Sequence, residues 1–157
     1  MTGALPDGVP EEPGVQVVVF RLGGELHACD VQRVEEVVTG ERLHPLPDVP
    51  PPLAGVIRLR GALVPVLDVA PVLGLTLREV RTPAVLIVEG DAGRVGVAVD
   101  EVREVTTLPA SAIRRGGAGG EDEHVLGVAR VDGALVTLLD FAGFPGLNVT
   151  QSPREGS

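Results

Sequence analysis

An all-β protein, mainly strands with short helices and arranged as two packed five-stranded β-barrel subdomains, is what this sequence predicts. Three observations predict it. The chain contains a piece of itself twice: residues 55–68 read GVIRLRGALVPVLD and residues 127–140 read GVARVDGALVTLLD, with nine of the fourteen positions identical. The apolar content is built from Val, Leu, Ile and Ala with only three aromatic residues, Phe20, Phe141 and Phe144, a composition suited to pleated strands. Frequent Gly and Pro interrupt the apolar runs at short intervals, which leaves space for short strands and turns and none for long helices. A unit of about 70 residues that occurs only twice is too long for a solenoid and fits a doubled barrel.

The elements follow in order. Residues 1–14 are rich in Pro, Gly and acid and predict a loose tail. VQVVVFRLGGELHACDV, from Val15, predicts two strands across a Gly23-Gly24 turn. Asp30 then stands where it can cap a short helical turn, and residues 35–39 read as the start of another strand. HPLPDVPPP (residues 44–52) predicts an extended loop lacking ladder donors at five positions. In the focal repeat, residues 56–60 predict a half-exposed strand carrying Arg58 and Arg60, Gly61 a turn, and residues 63–67 a buried strand. Pro65 predicts an edge or a bulge there. Asp68 caps VAPVLG, with Pro71 in the first turn and Gly74 as its stop, and Asp140 with FAGFPG repeats the device.

The second half repeats the first further back. Residues 85–105 match the hairpin, the terminal Asp (Asp100 for Asp30) and the V-x-E-V segment (Val34, Glu36 and Val37 against Val102, Glu104 and Val105). The expected organisation is a 1–14 tail, one domain over 15–147 and a 148–157 tail. Its barrels span about 15–80 and 83–147, with the terminal strands open to exchange between them. RRGGAGGEDE predicts a flexible connection.

Charge narrows the function. The formal balance is −9, with 13 Arg, no Lys and 22 acids, which opposes nucleic acid and an anionic membrane surface as partners. A single cysteine forms no internal disulfide and fits a reducing, cytoplasmic setting. No apolar run reaches the roughly 18 residues of a membrane span, so no membrane insertion is expected.

No catalytic pattern emerges. His27 and Cys29 share a strand face with Asp30 opposite, and no second ligand pair follows, so no metal is expected. Ser111 and His124 have no nucleophile elbow between them, and the glycines at 116–120 lack the lysine of a phosphate loop. The asymmetry between halves is more informative. Arg60 has Asp132 as its counterpart while the surrounding skeleton is shared. Val34, Val37 and Leu43 beside Glu36 and Arg60 would form an apolar patch with a charged rim, the anatomy of a protein-binding site.

The series FRLGGELHACDVQRVEEV, LPDVPPPLAGVIRLRGALVPVLDVAPVLG, VGVAVDEVREV and HVLGVARVDGALVTLLDF resembles CheW-like domains, the coupling proteins of bacterial chemosensory arrays. The resemblance covers residues 15–147, and G-V-I-x-L-R-G-x-x-V-P-V-x-D followed by LG is its most specific part. It implies two five-stranded barrels and a scaffold without catalysis or cofactor. That scaffold joins methyl-accepting chemoreceptor tips to the CheW-like regulatory domain of a CheA-type histidine kinase, in arrays at the inner membrane. By motif, Arg60 and Gly55 take the positions of the L-R-G segment and its opening glycine. Val34, Glu36 and Val37 take those of the V-x-E-[IV] segment, and Leu43 the apolar position before the Pro loop. Glu36 and Arg60 are expected to pair. The chain departs from the family pattern in having no Tyr, a glycine-richer 114–123 loop, and Arg58 where an uncharged polar residue is common. Two other readings are an adaptor for pili or development, and a small-molecule binder using a polar groove between the barrels with His27 and His124.

Overall fold

Strand after strand forms where valine, isoleucine and leucine alternate or run together, and each stops at a Gly, Pro or Asp signal. The computed structural model describes residues 14–78, 83–90, 93–115 and 124–141. The strands are β1 (Gly14–Leu22), β2 (Glu25–Asp30), β3 (Val34–Thr39), β4 (His44–Pro45), β5 (Leu53–Leu59), β6 (Ala62–Leu67), β7 (Ala84–Gly90), β8 (Gly93–Val99), β9 (Glu101–Pro109), β10 (Arg114–Arg115), β11 (Val125–Val131) and β12 (Ala134–Leu139). They form two six-stranded sheets, ordered β10-β11-β12-β2-β1-β9 and β3-β7-β8-β6-β5-β4. The strand beyond the expected five is, in each sheet, a two-residue segment added to the edge of β5 or β11.

Sheet membership cuts across the two sequence halves. The β1–β2 hairpin pairs with β9 and, in parallel, with β12; the β7–β8 hairpin pairs with β3 and, in parallel, with β6. Each sheet therefore holds a hairpin belonging to the other half. Both hairpins are the continuous apolar runs of the sequence, and such runs suit strands buried on two faces. Val17 and Val19 point into one sheet's cluster with Ala28, Val136 and Leu138. Val85 and Ile87 point into the other's, with Ile57, Leu59 and Val66. The alternate residues Val18, Phe20, Leu86, Val88 and Val97 meet in a third cluster shared by both sheets. Three apolar layers thus replace the aromatic core the composition lacks, each large side chain contributing about 1.5–3 kcal/mol on burial.

Local signals are met at several places. Gly23 and Gly24 turn with φ of +63° and +83°, the all-positive turn that matches strand twist. Asp30 Oδ1 accepts from Gln32 N–H and caps the 3-10 turn Val31–Arg33. Asp68 Oδ1 accepts from Ala70 N–H at 3.0 Å, although Val69 and not Asp68 takes the N-cap position of the 3-10 turn Ala70–Leu73, which ends at a left-handed Gly74. The FAGFPG counterpart runs beyond Phe141, outside the described residues, as do the 116–120 glycines and both tails apart from Gly14, which opens β1 and so is not part of a loose tail.

Several expectations need correction. Arg114–Arg115, assigned to the flexible connection, form β10 against β11, and His44–Pro45, assigned to the Pro-rich loop, form β4 against β5. Pro65 is not on an edge strand: β6 lies between β5 and β8. Its missing N–H is tolerated because the β8 ladder starts only at Val66, and the irregularity falls on β5 between Leu53 and Gly55. The 63–67 strand is not buried throughout, since Leu63 is 62% exposed. Arg60 belongs to the turn and not to the strand. Asp100 does not repeat the exposed cap of Asp30. It is buried, accepting from the backbone N–H of Gly24 (2.7 Å) and of Arg78 (2.9 Å), and the chain enters β9 directly after it.

His27 is also buried, stacked on Phe20 with centroids 6.1 Å apart, and its Nδ1–H donates to the Glu25 carbonyl at 3.0 Å. Burial pulls its pKa below the ordinary 6.5, outweighing that hydrogen bond and the acids Glu25 and Asp100. Below pH about 6.5 the unfolded chain takes up a proton that the folded chain refuses, so stability falls with pH until the lowered folded pKa is passed. The urea midpoint of the wild type is expected to drop between pH 7.5 and 5 more steeply than that of His27→Leu. Parallel profiles would refute this.

Candidate functional site

The site is assembled around the tip of the β5–β6 hairpin. Arg60 and Gly61 form a two-residue turn with φ of +50° and +85°, and their counterparts Asp132 and Gly133 adopt +51° and +81°. The repeat therefore keeps the backbone of the turn and changes only its charge. Arg60 is 62% exposed and its Nη2 lies 2.5 Å from Glu36 Oε1, so the expected pair is present. Arg42 adds a second link, its Nη2 donating to the Arg58 carbonyl. Both contacts bring the β3 end of the sheet to its β5 side through side chains.

The neighbouring strand explains how the acids are displayed. Val34 pairs with Val88 and Glu36 with Ile87, so Glu35 is an extra, bulged residue. The bulge reverses the alternation: Val34 packs on the central cluster, whereas Val38 enters the barrel cluster. Glu35 is exposed, whereas Glu36, cross-strand from Ile87, is half-buried. Glu35 accepts from Arg94 Nε at 2.7 Å. Its carboxyl is also hydrogen-bonded to that of Glu89, which holds Glu35 below the usual carboxylate range, with Arg94 reinforcing the effect, and pushes Glu89 up. In the second half the bulged residue is Arg103, between partners Val19–Glu104 and Phe20–Val102.

Of the six residues singled out in the sequence, two meet at the surface, one is exposed on the opposite face of the same strand, and three are drawn inward. Glu36 and Arg60 are in contact and Val37 is 44% exposed on the same strand as Glu36. Val34 and Leu43 are half-buried against core clusters. Gly55 is buried where β4 crosses closest to β5, and a Cβ there would sit 2.4 Å from the His44 carbonyl oxygen. These three shape the surface from beneath.

The sequence reading missed Leu63, which lies cross-strand from the exposed Arg58. Its period-two spacing with Pro65 was the available signal. Leu135 is 60% exposed at the equivalent place beside Arg130, and Val105 matches Val37 in exposure. Two exposed apolar pairs, Val37/Val105 and Leu63/Leu135, thus recur in both halves, while the turn between the hairpin strands differs in charge. Among the described residues no cluster of three metal-ligating side chains exists, and no helix is long and apolar enough to cross a membrane. The space between the sheets is filled by Val, Leu and Phe, with His27 sealed beneath them.

Fold and site together define a duplicated β-sheet module that presents exposed apolar side chains beside a charged hairpin, the makings of a docking domain. The chain belongs to the CheW-like family: the CheW-like domain matches residues 16–145. It is 28% identical to chemotaxis protein CheW of Rhizobium meliloti over 81% of this chain and 84% of that protein. It is 31% identical to protein FrzA of Myxococcus xanthus over 83% of this chain and 84% of the relative. The crystal structure of the scaffolding protein TtCheW from Thermoanaerobacter tengcongensis superposes with a TM-score of 0.71 at 28% identity, covering 82% of this chain and 90% of that one.

Proposed function

We propose that this protein is a chemosensory adaptor that couples methyl-accepting chemoreceptors to the CheW-like regulatory domain of a CheA-type histidine kinase, working in the cytoplasm at receptor arrays without catalysis of its own. Membership in a family that includes a scaffolding protein supports the class of function. The observation that carries the site is Arg60, a solvent-facing cation on a hairpin whose twin bears an acid. In this reading Arg60, Glu36 and Val37 touch the partner. Gly55, Leu43 and Val34 hold the surface in shape. Burial of Val37 and Leu63 would supply affinity and the Arg60–Glu36 pair would set register.

The apolar packing between the sheets speaks against the small-molecule reading. The match to a relative of another name, FrzA, favours one second version: the same adaptor role in a system whose output is something other than swimming. Pull-downs with the histidine kinases of each candidate system separate the two. For the adaptor role itself, Arg60→Asp is expected to fold like its twin turn yet bind the kinase regulatory domain or receptor about tenfold to a hundredfold more weakly. Unchanged binding together with unchanged kinase activation in a reconstituted array would remove Arg60 from the interface.

A further inference from the structure

The second half carries a groove lined by cations and an apolar wall. Ser111, Arg114, Val128, Arg130 and Leu135 border a space of about 540 Å³ on the outer side of β10, β11 and β12, and no acid lines it. Arg114 stands cross-strand from Val128 and Arg130 from the exposed Leu135, while Ala129 and Val136 between them turn inward. At the matching places of the first half, Arg42 donates to the Arg58 carbonyl beside Leu63. Among the described residues Arg114 makes no such link to Arg130, and no acid forms an ion pair with either. Two guanidinium groups beside an apolar wall fit a segment that combines carboxylates with apolar side chains.

We infer that residues 1–13 of this chain, MTGALPDGVPEEP, fold back over the groove as an acidic strap and close the apolar face of the second half. Gly14 pairs with Pro109, so the chain preceding β1 leaves the sheet beside the 3-10 turn Ala110–Ala112, whose Ser111 forms the rim of the groove. Val15 and Ile113 pack on one cluster, which keeps that exit next to the start of β10. The segment carries Asp7, Glu11 and Glu12 with no Arg or Lys, and Leu5 and Val9 are apolar. An extended stretch of this length spans about 40 Å, enough to cross three strands spaced about 4.8 Å apart. Pro6, Pro10 and Pro13 reduce the conformational freedom lost on docking. A short tether also gives an effective concentration on the order of mM, so modest contacts suffice. The strap covers Leu135 and leaves its twin Leu63 open, so a partner that needs the second face has to displace residues 1–13.

The test uses the full chain with Ala4→Cys carrying a nitroxide, and reads the amide signals that the spin label weakens in nuclear magnetic resonance spectra. Cys29 is buried and burial pushes its thiol up to about 12, so the label goes to the introduced cysteine. Amides of Arg114, Val128, Arg130 and Leu135 are expected to lose intensity while those of Arg58 and Leu63 keep theirs. Added salt is expected to restore part of the loss, because the paired charges lie at the surface. Arg114→Glu should abolish the loss, and Glu11→Arg with Glu12→Arg in that background should bring it back. A loss that is absent, uniform or centred on Leu63 overturns the strap. A loss that survives Arg114→Glu overturns the acidic recognition. The same loss in isotope-labelled chains without nitroxide, mixed with nitroxide-bearing ones, would put a second copy's segment in the groove and overturn the intramolecular contact. No partner protein enters the measurement, so the adaptor role is not at stake in any of these outcomes.

Discussion

Gly55→Ala is expected to destabilise the protein by about 1–3 kcal/mol or more, with Gly127→Ala doing the same. An added Cβ at Gly55 would lie 2.4 Å from the His44 carbonyl oxygen, and one at Gly127 would lie 2.4 Å from the Arg114 carbonyl oxygen. Both obstacles are backbone, and both belong to the two-residue strands that pair with these glycines, Pro45 with Gly55 and Arg115 with Gly127. A side chain can swing aside, but a paired strand moves only by giving up its hydrogen bonds. The expected result is loss of β4 or β10 from its sheet, with thermal midpoints falling about 2–4 °C for each kcal/mol. Midpoints within a degree of wild type would show that the edge strands yield freely. The matched pair also separates structure from contact. If both variants lose stability alike and only the Gly55 variant loses partner binding, the defect is transmitted through β4 and the surface it supports.

Asp100→Ala should have the largest effect of any single truncation considered. Its carboxylate is buried and accepts two backbone N–H groups, from Gly24 in the β1–β2 turn and from Arg78 after the 3-10 turn Ala70–Leu73. Its own N–H donates to the Arg21 carbonyl, so this one residue ties together the exchanged hairpin, the segment joining the halves and the crossing from one sheet to the other. Hydrogen bonds to a charged group contribute about 1.5–3 kcal/mol each, and truncation leaves both donors unpaired. A loss of about 3–5 kcal/mol is therefore expected. Asp100→Asn, which keeps one acceptor oxygen, should lose less. Asp30→Ala should lose only about 1 kcal/mol, because that residue caps an exposed turn. Urea unfolding of the three variants measures the order directly, and an Asp30→Ala as damaging as Asp100→Ala would contradict it.

The contrast between these aspartates shows where sequence reading stops. Asp30 and Asp100 occupy matching places in the repeat, and both were expected to cap a turn. A cap depends on the next two or three residues, which the sequence displays. A buried acceptor depends on donors 22 and 76 residues away, which it does not. Leu63 makes the same point: leucine in an apolar run reads as core, and only the pairing of β6 with Arg58 on β5 puts it outside. Pro65 signals an edge or a bulge because it cannot donate, a correct local rule whose outcome depends on where the β8 ladder begins.

The candidate site was half legible. Arg60 stood out because duplication provides an internal control: where the backbone demands sameness and one residue differs in sign, function is a natural cause. Its pairing with Glu36 followed from charge, and the structure brings the two together. Val34 and Leu43 looked equivalent to Val37 on paper. Cross-strand packing decided between them: Val34 packs on the central cluster, Leu43 against the barrel cluster, and Val37 stays 44% exposed.

Strand content, the Gly23-Gly24 turn, the Asp30 cap, doubling and family were all determined by the sequence alone, since each rests on residues that are neighbours along the chain or on a repeat visible by alignment. Which half lends its hairpin to which sheet, which apolar side chains remain outside, and the left-handed backbone under Arg60 were decided by tertiary structure. The physical reason is that a two-sided apolar strand is satisfied by any pair of apolar layers. Only the packing of the whole chain selects the pair it receives.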